Sequence, residues 1–152
     1  MNRTSHKNRY LIIMTVGLAV LLYFQFANGG EAGESGDTAN AAQPGGRVNI
    51  ESLIRPGKTN IVDFSSDYCP PCRKISPMLK KLDRKRDDIV VIKLDVNRPG
   101  VRGIDWGSPL VQQYNLRALP YFMIYDSAGN LTHRGERALQ QVGRLLKSEG
   151  LL

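Results

Sequence analysis

IVDFSSDYCPPCRKISPMLKKL, residues 61–82, compresses a strand, a dicysteine turn and a helix start into one stretch. Asn60–Phe64 (NIVDF) is a short β-rich run. Beyond the cysteines, Ile75, Met78, Leu79 and Leu82 recur at i, i+3, i+4 and i+7, the stripe of a one-faced helix. Cys69 and Cys72 therefore fall where a strand hands over to a helix. Free N–H groups and the helix dipole at such a position favour negative charge, which lowers the pKa of a thiol. A thiolate is the attacking species in disulfide exchange, and a second sulfur three residues on can resolve the mixed disulfide. Pro70 and Pro71 suit the first helical turn, where their missing N–H groups would have no intrahelical partner. The competing readings of such a pair are half a metal site or a passive crosslink. A closed zinc site needs two further ligands, and the chain's two histidines, His6 and His133, are far from the pair in sequence. Redox chemistry is the favoured reading, with no metal.

Outward from this stretch, Ile89–Val96 (IVVIKLDV) is a second strand, and the intervening helix makes a β-α-β unit whose strands run parallel. Asn49 can cap a short helix through Ile54, ended by Pro56-Gly57. Pro109–Asn115 is a further short helix. Tyr121–Tyr125 and Leu131–Arg134 flank Asp126-Ser127-Ala128-Gly129-Asn130, which predicts an antiparallel hairpin. Leu139, Val142 and Leu146 mark a closing helix. The order α-β-α-β-α-β-β-α predicts an α/β domain with a mixed central sheet and helices on both faces, over residues 47–152. Asp63 sits inside the first apolar strand, where burial would raise its pKa toward the range useful for proton transfer.

The N-terminal third sets the compartment. Tyr10–Ala27 (YLIIMTVGLAVLLYFQFA) is an uncharged run of 18 residues. As a helix it would be roughly 27 Å long, enough to span a bilayer core. Arg3, Lys7 and Arg9 precede it and Glu31, Glu34 and Asp37 follow. That asymmetry predicts residues 1–9 in the cytoplasm, a single-pass anchor over 10–27, and the domain outside. A cleaved signal ending near Ala27-Asn28-Gly29 is the other reading, and both export the domain. Residues 28–46, rich in glycine, read as a flexible tether. The chain carries a net charge of +7. Arg73, Lys74, Lys80, Lys81, Arg84, Lys85 and Arg86 form the polar face of one helix, either a solvated surface or an electrostatic steering patch. Nucleic acid is not an expected partner of an exported domain.

From Val48 to Lys147 the chain resembles the thioredoxin family. IVDFSSDYCPPCRKISPMLKKL is similar to that family's strand, active-site loop and helix, with Pro77 at its helix kink. The resemblance implies a thioredoxin fold, Cys69 as nucleophile and Cys72 as resolving cysteine. Ala118-Leu119-Pro120 resembles the cis-proline loop, implying a cis Leu119–Pro120 bond packed against the sulfurs. Gly135 resembles the glycine that lets a substrate backbone approach. By the same resemblance Asp63 is the buried acid that helps deprotonate the resolving cysteine through water, and Lys93 is the lysine near it. Tyr68, Pro70, Pro71, Leu119, Pro120 and Gly135 then form the substrate-binding surface.

Three departures stand out. Tyr68 and Ser65 occupy positions where the family commonly has Trp, and Pro-Pro replaces the usual Gly-Pro. Arg98–Pro109 (RPGVRGIDWGSP) is also longer than in compact members. Its Trp106 either packs the loop down or forms part of a partner-docking ridge.

Taken together, these readings predict a monomeric thiol–disulfide oxidoreductase tethered to a bacterial inner membrane, with its domain on the periplasmic side. It would reduce protein disulfides with no cofactor beyond the Cys69–Cys72 disulfide. A membrane dithiol electron donor would re-reduce it, as in tethered thioredoxin-like proteins of cytochrome c maturation. The same site could instead serve an oxidase or isomerase, and the fold could serve a non-catalytic binding or metal-carrier module.

Overall fold

The computed structural model describes residues 38–152, which build four strands and three α-helices around one mixed sheet. The segments expected as a cytoplasmic N-terminus (1–9) and an anchor (10–27), and the first part of the tether, lie outside the described residues. Among those described, no helix is long and apolar enough to cross a membrane.

Strand β1 (Thr59–Ser65) pairs in parallel with β2 (Ile89–Asp95) and antiparallel with β3 (Tyr121–Tyr125), which pairs antiparallel with β4 (Leu131–Arg134). The spatial order is β2-β1-β3-β4. Helix α1 (Pro70–Lys85) makes the crossover between the two parallel strands, as its apolar stripe predicts. Helices α2 (Pro109–Tyr114) and α3 (Glu136–Ser148) follow β2 and β4.

Strand side chains alternate between two cores. Val62 and Phe64 of β1, with Met123 and Tyr125 of β3, pack with Leu110 and Val111 of α2. Ile61, Phe122 and Ile124 point the other way and meet Leu79 and Leu82 of α1 and Ala138, Val142 and Leu146 of α3. The sheet is therefore covered on both faces. The short helix expected after Asn49 is only a 3₁₀ turn, Ile50–Ser52. Asn49 does cap it, its side chain accepting from the Glu51 N–H at 3.1 Å.

The main correction concerns the tether. Residues 38–46 are not a free spacer, because they bond along the outer side of β2. The Ala39 N–H donates to Lys93 O at 2.8 Å and the Gly45 N–H to Asp95 O at 2.9 Å. Between them the Asn40 side chain donates to Asp95 O at 2.8 Å and accepts from the Asp95 N–H at 2.9 Å. One amide thus supplies both bonds of a missing strand residue and covers an otherwise open strand edge. Gly45 passes so close to the chain beyond β2 that an added Cβ would lie 2.7 Å from the Arg98 nitrogen. Its glycine is a packing requirement there, and the folded unit begins by residue 38.

Candidate active site

β1 and β2 are parallel neighbours with Ser65 opposite Asp95, so the loops leaving their C-terminal ends emerge from the same end of the sheet. β3 enters from that end too, with Tyr121 opposite Phe64. The dicysteine turn, the 97–108 loop and the Leu119-Pro120 segment are consequently gathered at one end by topology. Gly135 joins them, its N–H donating to Phe122 O at 2.9 Å.

Cys69 is the N-cap residue of α1, in an extended conformation, with Pro70 and Pro71 opening the helix. Its Sγ accepts a hydrogen bond from the Cys72 N–H at 3.2 Å. Because two prolines occupy the first turn, that N–H is the first one the helix has to offer, and it is aimed at sulfur. Such a bond, together with the helix dipole, stabilises a thiolate in the reduced form. The approach to the helix is held by Ser66, whose Oγ accepts from the Tyr68 N–H at 3.1 Å and whose carbonyl accepts from the Cys69 N–H at 3.0 Å. The two sulfurs are joined in a disulfide, with Cα atoms 5.2 Å apart. Both cysteines are only 1% exposed, whereas neighbouring Tyr68 is 50% exposed. Pro70 and Pro71 are also exposed.

Leu119–Pro120 is cis, as the resemblance implies. Gly135 has φ 59° and ψ −133°, a combination open essentially to glycine alone. A Cβ there would also press to 3.3 Å from the Tyr121 ring.

Asp63 is 1% exposed. Burial pushes its carboxyl up to about 7, partly offset by the positive charge of Lys93. Lys93 is its register partner on β2, but the carboxylate within ion-pair distance of the lysine Nζ is that of exposed Asp67, at 4.0 Å. Lys93 is thus shared between a buried acid and a surface one. A cavity of about 410 Å³ opens beside Asp63, lined also by Ser65, Ser66, Ser76 and Pro77. It reaches the first turns of α1, where the Ser76 hydroxyl donates to Cys72 O at 2.8 Å. Ser65 and Ser66 were not expected site residues. The signal for Ser65 is its place two residues beyond Asp63, on the same strand face.

The long loop is held by side-chain bonds from Asn97 and Arg98. Arg98 grips Asp105 through two donors at 2.7 and 3.0 Å, and the Asn97 side chain donates to Gly103 O at 2.6 Å. The guanidinium beside Asp105 holds that carboxyl below its ordinary range. Trp106 stays 45% exposed. Among the described residues no group of three His, Cys, Asp or Glu side chains could hold a metal ion.

With one sulfur held where its thiolate is favoured and a second within bonding distance, the chain is by class a thiol–disulfide oxidoreductase. The family description "Thioredoxin" matches residues 48–148, and the chain belongs to the thioredoxin family. Similar curated proteins include thioredoxin H5 of Oryza sativa subsp. japonica, 36% identical over 74 residues. That match spans about half of each chain, 49% of both. Thioredoxin 1 of Plasmodium falciparum is 27% identical over 99 residues, 63% of this chain and 88% of the relative. Among solved structures, Fasciola hepatica thioredoxin has a TM-score of 0.48 at 24% identity, covering 65% of this chain and 89% of that one.

Proposed function

We propose that this protein is a membrane-tethered, extracytoplasmic reductant of protein disulfides. The observation that carries the redox reading is the Cys72 N–H aimed at Cys69 Sγ on the helix N-terminus. The Cys69 thiolate attacks a substrate disulfide, and one substrate sulfur leaves as thiolate. Cys72 then gives up its proton to Asp63 through water and attacks Cys69 Sγ, and the second substrate sulfur leaves. Two electrons pass from the dithiol to the substrate, and a membrane dithiol donor restores the pair. The Pro-Pro turn supports the reducing direction. Pro71, the second helical residue, lacks an N–H that another residue there could aim at Cys69, so the reduced form is stabilised by fewer donors. A less stabilised dithiol is a stronger reductant. Export rests on the apolar run 10–27 and its flanking charges.

Equilibration with glutathione tests the direction. A reduction potential near about −270 mV, the range of thioredoxin, is expected; one above about −180 mV would reverse the reading to oxidase or isomerase. Protease added outside intact spheroplasts should digest the domain, and full protection would overturn the placement.

Both sulfurs are shielded, so a protein substrate must press against the surrounding loops to reach them. Tyr68 and Trp106 are the large exposed aromatics at that end of the sheet. Trp106→Ala should raise KM for a protein substrate about fivefold or more, the mark of an aromatic docking residue. Turnover of a small aromatic disulfide should not change. Equal effects on both substrates would assign Trp106 to the chemistry instead of docking.

A further inference from the structure

Gly45 bonds to both feet of the 97–108 loop. Its N–H donates to Asp95 O at 2.9 Å, at the end of β2 where the loop departs, and its carbonyl accepts from the Leu110 N–H at 3.0 Å, where the chain enters α2. Leu110 is the second residue of α2, so its N–H has no acceptor within the helix. The neighbouring donors are met locally: the Val111 N–H donates to Ser108 Oγ at 3.2 Å and the Gln112 N–H to Ser108 O at 3.1 Å, while Pro109 has none. Gly45 is buried at φ 70°, a backbone conformation that L side chains rarely adopt. A Cβ there would meet Arg98 N at 2.7 Å and Asn97 C at 2.8 Å, both backbone atoms of the loop's first foot. Asn40, only 8% exposed, fastens the same segment through its two bonds to Asp95.

Between its feet the loop is closed on itself. The buried Asn97 side chain holds Gly103 O, and the buried Asp105 carboxylate is gripped by Arg98. These bonds make residues 97–105 one piece, and Trp106 is attached directly to it. Ile104 packs this piece against the core that contains Leu110. A piece so closed and so anchored turns as a whole when one of its feet shifts.

We propose that Gly45 is a positioning residue for substrate docking: its peptide group ties together the feet of the 97–108 loop and thereby fixes where Trp106 stands at the end of the sheet that carries the dicysteine. The inference rests on the docking role of Trp106 given above. An exposed aromatic that is already in place when a partner arrives loses less freedom on binding than one on a loose loop. Residues 38–46 therefore serve the site from the outer side of β2, without touching substrate.

The test is a double-mutant cycle in the full-length protein, with insulin and a small aromatic disulfide as substrates. Gly45→Ala should raise KM for insulin about threefold or more with kcat unchanged, and should leave turnover of the small disulfide as it is. In a Trp106→Ala background the same substitution should add nothing to KM, because the side chain it positions is gone. Asn40→Ala, which frees the segment without adding bulk, should repeat both results, and it decides the matter if Gly45→Ala does not fold. Trp106 is the chain's only tryptophan, so its fluorescence anisotropy reports on the loop and should fall in both single variants. In the unmutated chain the Leu110 amide should exchange with solvent at least about tenfold more slowly than an open peptide amide. Exchange at the open rate would overturn the proposal whatever the variants do. A merely structural role predicts a lower urea midpoint with KM and anisotropy unmoved, or an equal rise in KM with and without Trp106, and either outcome defeats the role of Gly45. A wild-type protein inert toward insulin would overturn the redox reading, and an unchanged KM in Trp106→Ala would overturn the docking reading, taking this proposal with it. A Trp106 effect with no Gly45 effect overturns only the proposal.

Discussion

Cys69→Ser is expected to lower insulin reduction by at least about a thousandfold, to the rate of the reductant alone. A serine hydroxyl at the helix N-terminus receives the same hydrogen bond from the residue 72 N–H, but that bond cannot generate an alkoxide near neutral pH. Cys72→Ala should behave differently, because the donor to Cys69 Sγ is the backbone of residue 72 and survives the substitution. Its first attack should proceed and its release should fail, so a mixed disulfide with the substrate accumulates and is visible on a non-reducing gel. Retention of more than a tenth of the activity in Cys69→Ser would sink the assignment of that sulfur as nucleophile. A Cys72→Ala protein that turns over normally would show that resolution does not depend on the second sulfur.

What could be read from the sequence was local. The β1 run, the i, i+3, i+4, i+7 stripe of α1 and the turn residues before β4 each follow from short-range rules, and all three elements stand where expected. The dicysteine is equally local, since strand, loop and helix adjoin in the chain. Long-range substitutions for secondary structure were not legible. Residues 38–46 have a linker's composition, and only the fold shows that the Asn40 side chain replaces a strand's backbone bonds to Asp95. The Arg98–Asp105 grip within the long loop is hidden for the same reason. The electrostatic partner of Lys93 was half legible. Its nearness to Asp63 was implied by the family resemblance, and the structure pairs the two in register, but its 4.0 Å approach to Asp67 depends on how the turn before Cys69 is folded.

Asp63→Asn should make the protein more stable and less active, and the stability gain should depend on pH with a determined sign. Asp63 ionises near 7 in the folded chain against its ordinary 3.8, because burial disfavours the charge. Between these values the native state holds a proton that the unfolded state has released, so unfolding free energy falls as pH rises through that window. Below about 4 the carboxyl is neutral in both states and imposes no penalty. Above about 7 the penalty is complete, and a shift of about three units corresponds to up to about 4 kcal/mol. Asparagine keeps the shape and cannot ionise. The variant should therefore match the wild type in urea unfolding at pH 4 and exceed it at pH 8, with the gap opening between. Its insulin reduction should fall about a hundredfold, the low end of what a positioned proton acceptor supplies, and should lose its pH dependence near 7. A stability gap that is the same at both pH values would show that the Asp63 carboxyl is not held neutral by burial. A large gap with no loss of rate would show that the buried acid has no part in exchange. With both effects present, stability and turnover oppose each other at this one carboxyl: the group that weakens the folded domain above neutral pH is the one that accepts the proton of Cys72.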